Sequence, residues 1–253
     1  MTTISDTDVL LITLCGELEL GQALVEQIRR GEIEPESAFG CFYGTVRAFS
    51  PWATTDVLRS LNDGVWCFDE SLTGPRMAGD LAWFQVGADA VRPSGVSLPL
   101  LVHAGARSVD QLGHWEFGGL RVYCPRAIPT VDAFAIQECL DQFRIATSLR
   151  VPKEVEVTVR HSTSHAQWAE GLGAWAEYTS IEPFVLSEIR GTTRHEERAG
   201  TVAGDFTSRY QSSAVFSVPQ WSPDSAVLLL QLIREATRRI LRDDAVEVDI
   251  MRV

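Results

Sequence analysis

Lysine is almost absent from this 253-residue sequence: Lys153 is the only one, and apart from the histidines every other basic residue is arginine. Schiff-base and pyridoxal phosphate enzymes need a lysine amine in their site, and a P-loop needs one behind a glycine-rich turn. Lys153 instead follows Val151 and Pro152 at a turn that leads into a predicted strand. The sequence therefore argues against these classes of enzyme, and we expect no cofactor.

Long apolar runs and clustered cysteines are also missing. Apolar runs such as residues 226–230 fall far below the ~20 residues that span a bilayer, and no basic segment precedes the apolar run 9–14, as it would in a secretory signal. The five cysteines are widely spaced and include no C-x-x-C pair, so neither a disulfide framework nor a zinc site is predicted. We expect a cytoplasmic protein that binds no membrane.

Positive charge is scarce as well, because the formal net charge is −12. Nucleic acids and anionic membranes attract proteins through a positive field, so neither is expected as a partner. An acidic surface is typical of a soluble protein and also suits a basic protein partner. The sequence is also compatible with a homodimer.

What the sequence does contain is an internal repeat. Each of two segments has a strand-like run, two prolines four residues apart, an apolar-periodic helix and a returning strand with period-2 alternation. The prolines are Pro125 and Pro129 in the first segment and Pro219 and Pro223 in the second, and the returning strands are residues 155–159 and 246–250. The run Ser222-Pro223-Asp224 is a helix start, with serine as N-cap and proline at the first helical position.

These segments predict the fold class and the domains. Residues 98–103 and 184–189 are predicted to be the upstream strand of each copy, which makes each copy a strand–strand–helix–strand unit. We expect an α+β protein with mixed or antiparallel sheets, helices packed on one face and a pseudo-twofold relation. The predicted domains are an N-terminal α/β subdomain, residues 1–94, and a duplicated region, residues 95–253, with copies at about 97–161 and 182–253.

Two histidine patterns are incomplete. His161 and His165 have the spacing of a helical metal pair, but the zincin pattern needs glutamate directly after the first histidine, where Ser162 stands. The triplet that ends at Thr163 resembles the H-x-T half-motif of two-histidine phosphoesterases. Its second copy would fall at residues 251–253, which contain no histidine. No metal site is therefore expected.

Cys124 lies at the end of a predicted strand, where nucleophiles are often displayed, and His103 or His114 could serve as its base. Its counterpart in the second copy is Val218. Because a small apolar residue satisfies the same position, a buried structural cysteine is the favoured interpretation.

The order of predicted elements from His114 onward resembles the layout of some bacterial toxin-immunity proteins. The residues that carry the likeness are Tyr123-Cys124-Pro125, Phe216-Ser217-Val218-Pro219 and Ser222-Pro223-Asp224. The resemblance covers a little over half of the chain and rests on architecture alone. It implies a partner-binding protein that would act as an immunity-type inhibitor. Its acidic surface would cover the basic face of a toxin or nuclease.

The alternative is a cofactor-independent small-molecule enzyme of bacterial secondary metabolism, with its site in the cleft between the two copies. Residues that differ between the copies would carry that site, and the candidates are His103, His114, Glu116, Tyr123, His161 and Arg190. A deep pocket that holds several of them would favour the enzyme. A flat acidic face would favour the binding protein.

Overall fold

The computed structural model describes residues 9–32, 37–49, 64–66, 76–87, 97–125, 133–147, 150–161, 168–179, 181–194, 208–241 and 245–253. The strands within these ranges are β1 (Val9–Leu20), β2 (Gly64–Trp66), β3 (Arg76–Gly87), β4 (Gly113–Cys124), β5 (Lys153–His161), β6 (Val185–Arg194), β7 (Tyr210–Val218) and β8 (Val246–Arg252). The helices are α1 (Gln22–Arg29), α2 (Ser37–Phe49), α3 (Leu98–Asp110), α4 (Ala133–Thr147), α5 (Trp168–Tyr178) and α6 (Pro223–Leu241). None of these helices is long and apolar enough to cross a membrane.

The strands form one sheet in the order β2-β3-β1-β4-β8-β5-β7-β6, and every neighbouring pair is antiparallel. The predicted α+β class with an antiparallel sheet is confirmed.

The strand order contains the same pattern twice. The first half runs from β1 to β4 and the second from β5 to β8, and in both the order across the sheet is second, third, first and fourth strand. Helices follow the first and third strands of each half, so each half has the β-α-β-β-α-β order of a ferredoxin-like fold. The fourth strands, β4 and β8, pair with each other and join the halves into one sheet. Because equivalent strands pair antiparallel, the two halves are related by a pseudo-twofold axis.

These halves extend over residues 9–124 and 153–252, and so are placed differently from the predicted copies 97–161 and 182–253. The aligned segments correspond to β4-α4-β5 and β7-α6-β8. In both, the two strands run parallel with one strand between them: β8 in the first and β5 in the second. The repeat in the sequence therefore reflects this shared crossover. The proposed boundary at residues 94 and 95 lies outside the described residues and stays a prediction.

The prediction that residues 98–103 form a strand is wrong, because they are the first turns of α3. Ser97 is the N-cap, and its hydroxyl accepts a hydrogen bond from the Leu100 N–H at 3.3 Å. Leu98, Leu101 and Val102 are buried, which is the i, i+3, i+4 spacing of one helical face. The other predicted upstream strand, residues 184–189, falls on β6 except for its first residue.

One face of the sheet is covered by α2 to α6, and the core lies between them. Alternate residues of each strand point into it, as Val155, Val157 and Val159 do on β5. Phe42 of α2 stacks on Phe84 of β3 with ring centroids 4.4 Å apart. The intervening residues of the strands point to the opposite face, which carries charged side chains across the sheet.

Candidate functional site

The six residues predicted for an enzyme site do not gather in one place, although His114 and Glu116 are near neighbours on β4. His103 is exposed on α3, His114 and Glu116 are exposed near the start of β4, Tyr123 is buried near its end, His161 is buried at the end of β5, and Arg190 is exposed on β6. Tyr123 lies nine residue steps along β4 from His114, which corresponds to about 30 Å of strand. The structure therefore does not bring this set together in one cleft.

His161 is a core residue with internal partners. Its Nε2 lies 3.3 Å from the Ser212 hydroxyl, which is itself 2.8 Å from the Thr192 hydroxyl, and its ring stacks on Tyr210 with centroids 5.8 Å apart. His165 lies outside the described residues. Among those that are described, no group of three or more His, Cys, Asp and Glu side chains could hold a metal ion.

The structure supports the interpretation of Cys124 as a structural cysteine. The residue is buried on the helix-covered face, and burial raises the pKa of its thiol. Cys15 lies on the other face, where its thiol donates a hydrogen bond to Asp80 Oδ1 at 3.2 Å. Burial, followed by the Asp80 charge, raises the pKa of that thiol too. A nucleophilic thiolate at neutral pH is therefore disfavoured at both positions.

The strand positions on the face opposite the helices carry a chain of ion pairs across the boundary between the halves. We call Asp80, Arg121, Asp249, Glu247 and Arg160 the junction cluster. Arg121 of β4 binds Asp80 through Nη1 and Asp249 through Nε, both at 2.8 Å. Arg160 of β5 binds Asp249 Oδ2 at 2.8 Å and Glu247 Oε1 at 2.5 Å. The first half thus contributes Arg121 and Asp80, and the second half contributes the rest.

Two carboxylates of the junction cluster are largely removed from water, with 6% of the Glu247 side chain and 9% of the Asp249 side chain exposed. Burial, and then the neighbouring Asp249 charge, raise the pKa of Glu247, while Arg160 and Arg121 oppose that shift. Burial would lower the pKa of Arg121, but Asp249 and Asp80 reverse this and raise it. Each buried charge therefore has an opposite charge beside it, which favours a structural role over a catalytic one.

Replacing Glu247 by glutamine is expected to change how stability depends on pH. The folded-state pKa of Glu247 lies above its ordinary value of 4.5, so its contribution to stability is fully present below pH 4.5. That contribution is lost as the pH rises through the folded-state pKa. The unfolding free energy of E247Q relative to the natural protein should therefore increase from acid to neutral pH. Urea unfolding of both proteins between acid and neutral pH measures this difference in free energy. A difference that does not change with pH would contradict the prediction.

A groove of about 830 Å³ lies between the C-terminal turn of α5 and the edge strand β6. Three large apolar residues line it and are exposed: Tyr178 at 90%, Val185 at 55% and Ile189 at 36%. Its acidic lining residues are Glu177, Glu182 and Glu188. We call this the β6 groove. It combines apolar surface with negative charge, and no sequence pattern pointed to it because Tyr178 and Ile189 belong to separate elements.

A second cavity, of about 550 Å³, lies where β4, the start of β5 and the end of β8 meet the first turn of α6. Its aromatic lining residues are Trp115, Phe117 and Trp221, and its basic lining residues are Arg150, Lys153 and Arg252. We call it the junction cavity, because both halves line it. Glu116 is the one residue of the predicted enzyme set that lines it.

Comparisons with known proteins do not place the chain in a family. No family model matches it, and no curated protein matches it. Among solved structures, a chain of a Cas6 product complex is similar over 92% of this chain and 92% of that chain, with 12% sequence identity and a TM-score of 0.23. A TM-score of that size supports no conclusion about fold or function.

Proposed function

We propose that this chain is a cytoplasmic partner-binding protein that docks a basic, apolar segment of another protein in the β6 groove. The observation that carries the proposal is the set of three exposed apolar side chains within one acidic groove. Exposed apolar residues that stand singly are ordinary, whereas a contiguous group rimmed by polar residues is typical of a protein interaction site.

The apolar part of the groove supplies the affinity. Tyr178 is almost wholly exposed on α5, and Val185 and Ile189 lie across from it on β6. Tyrosine is enriched among the residues that dominate binding energies, because it buries a large area with few rotatable bonds. An aliphatic or aromatic side chain of the partner would cover these three residues.

The backbone of β6 favours recognition through side chains over the addition of a regular strand. Its register with β7 shifts between Leu186 and Glu188, and again between Ile189 and Gly191. Such irregularities interrupt the hydrogen-bonding pattern of an edge strand and protect it from unspecific pairing. Arg190 is also held by Glu156 at 2.8 Å and by Glu188 at 3.3 Å.

The charge of the groove selects the partner. Glu177, Glu182 and Glu188 line it, within a chain whose net charge is −12. Such a field speeds the approach of a basic partner and disfavours an acidic one. The basic face of a toxin or nuclease, which the toxin-immunity-like layout implies, has this chemistry. An immunity-type inhibitor is therefore the form of partner binding that we propose.

Selection from a random-peptide library displayed on phage, with the full chain as bait, tests the proposal. We expect the selected peptides to be rich in arginine, lysine and apolar residues. In fluorescence anisotropy, Y178A and I189S should each weaken the binding of a selected peptide by about tenfold or more, as loss of an interface anchor does. F49A is the matched control, because Phe49 is 60% exposed on α2 and does not line the groove.

Three outcomes would overturn the proposal. Selected peptides without basic residues would contradict the choice of partner, and equal binding by Y178A, I189S and F49A would contradict the site. Light scattering that shows a dimer of the natural protein and a monomer of I189S would assign the groove to a second copy of this chain instead.

A further inference from the structure

We propose that the junction cavity binds a small organic anion, independently of the β6 groove. A phosphate or carboxylate group of the ligand would lie among Arg150, Lys153 and Arg252. Its apolar body would pack on the aromatic wall formed by Trp115, Phe117 and Trp221. The two sites share no lining residue.

The cavity concentrates positive charge within an acidic protein. Three cations line it against one carboxylate, Glu116, which binds Arg252 at 2.8 Å. The side chains of Arg150 and Lys153 make no hydrogen bond or ion pair with the rest of the described chain. Two cations whose side chains have no partner in the described part of the chain therefore lie beside an aromatic-lined cavity, which is the arrangement that attracts an anion.

The aromatic wall is held in place by contacts of its own. Phe117 and Trp221 stack with centroids 4.9 Å apart, and Trp115 meets Phe117 edge-on at 5.4 Å. The Trp221 indole N–H donates to the Phe117 carbonyl at 2.9 Å. Since these rings are fixed before a ligand arrives, binding would cost little side-chain entropy.

The side-chain cations, and not the start of α6, are assigned to the anion. The Ser222 N–H already donates to the Ser225 hydroxyl at 2.9 Å, and the Ser225 N–H donates to the Ser222 hydroxyl at 3.3 Å. This reciprocal capping occupies the N–H groups of Ser222 and Ser225, and Pro223 has no N–H to offer. The volume of about 550 Å³ lies within the usual range for sites of small organic ligands.

Titration of the full chain with phenyl phosphate, benzoate, inorganic phosphate and benzyl alcohol tests the proposal. The readouts are calorimetry and the fluorescence of the tryptophans in the wall. We expect phenyl phosphate or benzoate to bind at least tenfold more tightly than benzyl alcohol and inorganic phosphate, because only the first two combine a charge with a ring. Whichever of these two probes binds more tightly identifies the preferred anionic group, and added salt should weaken its binding.

The variant R150Q/K153Q should lose at least tenfold in affinity for the stronger probe. Its thermal unfolding should be unchanged, since neither side chain has a partner to lose among the residues that the structure describes. R47Q is the control, because Arg47 is exposed on α2 away from the cavity. Equal affinities for the natural protein and R150Q/K153Q would overturn the proposal. The proposal would also be overturned if benzyl alcohol bound as tightly as the stronger probe, or if neither phenyl phosphate nor benzoate showed saturable binding.

Discussion

Replacing Asp249 by alanine is expected to lower the free energy of unfolding by about 3 kcal/mol, the range found when one partner of a buried ion pair is removed. Asp249 accepts from Arg121 and from Arg160, at 2.8 Å in both cases. Its removal leaves two guanidinium groups with fewer carboxylates between them, in a region where only about a quarter and a fifth of their side chains reach water. The loss is largely the penalty of leaving those charges uncompensated.

Urea unfolding of D249A and the natural protein measures this effect. E188A is the matched control, because it removes a carboxylate from an ion pair with Arg190 whose side chains are about half exposed. Exposed pairs of this kind contribute about 0–1 kcal/mol. If D249A lost no more stability than E188A, the junction cluster would be no stronger than a surface ion pair.

Replacing Ile250 by alanine should cost about 3–4 kcal/mol, because truncation of a buried isoleucine loses transfer free energy and leaves a cavity. Ile250 is fully buried on β8, where it lies opposite Leu120 of β4 and Val157 of β5. The substitution therefore removes packing on both sides of the boundary between the halves.

V253A provides the comparison for I250A, since Val253 follows β8 and is 69% exposed. A surface change of this kind should stay within about 0.5 kcal/mol. Denaturant unfolding gives both values. A loss below about 1 kcal/mol for I250A would show that the surrounding side chains fill the space. A changed denaturant slope would show that the substitution alters the compactness of one of the two states or the two-state character of unfolding.

The sequence predicted elements whose signals lie within a few residues. Alternation at residues 155–159 and 246–250 indicated β5 and β8, and Ser222 with Pro223 marked the start of α6. The strand predicted at residues 98–103 was wrong, because a short, mostly apolar run fits a buried strand and a buried helix equally well. The N-cap residue Ser97 is the signal that distinguishes the helix from a strand.

The junction cluster and the junction cavity were harder to predict, because both depend on the order of the strands in the sheet. Glu247 and Asp249 alternate with valines, so the sequence placed them on one face of a strand. Their proximity to Arg121 follows only from the pairing of β8 with β4, which joins parts of the chain more than a hundred residues apart. Lys153 and Trp221 meet in the junction cavity for the same reason, since β5 pairs with β7.

The position of β8 bears on how the protein is made. Synthesis proceeds from the N-terminus, so β8 leaves the ribosome after β1 to β7, yet it occupies the middle of the sheet between β4 and β5. Until it emerges, β4 has no native partner on its outer side. An edge left unpaired during translation is a place where nascent chains associate wrongly. Slow synthesis of residues 153–245 would lengthen that exposure, and a chaperone that covers β4 would shorten it.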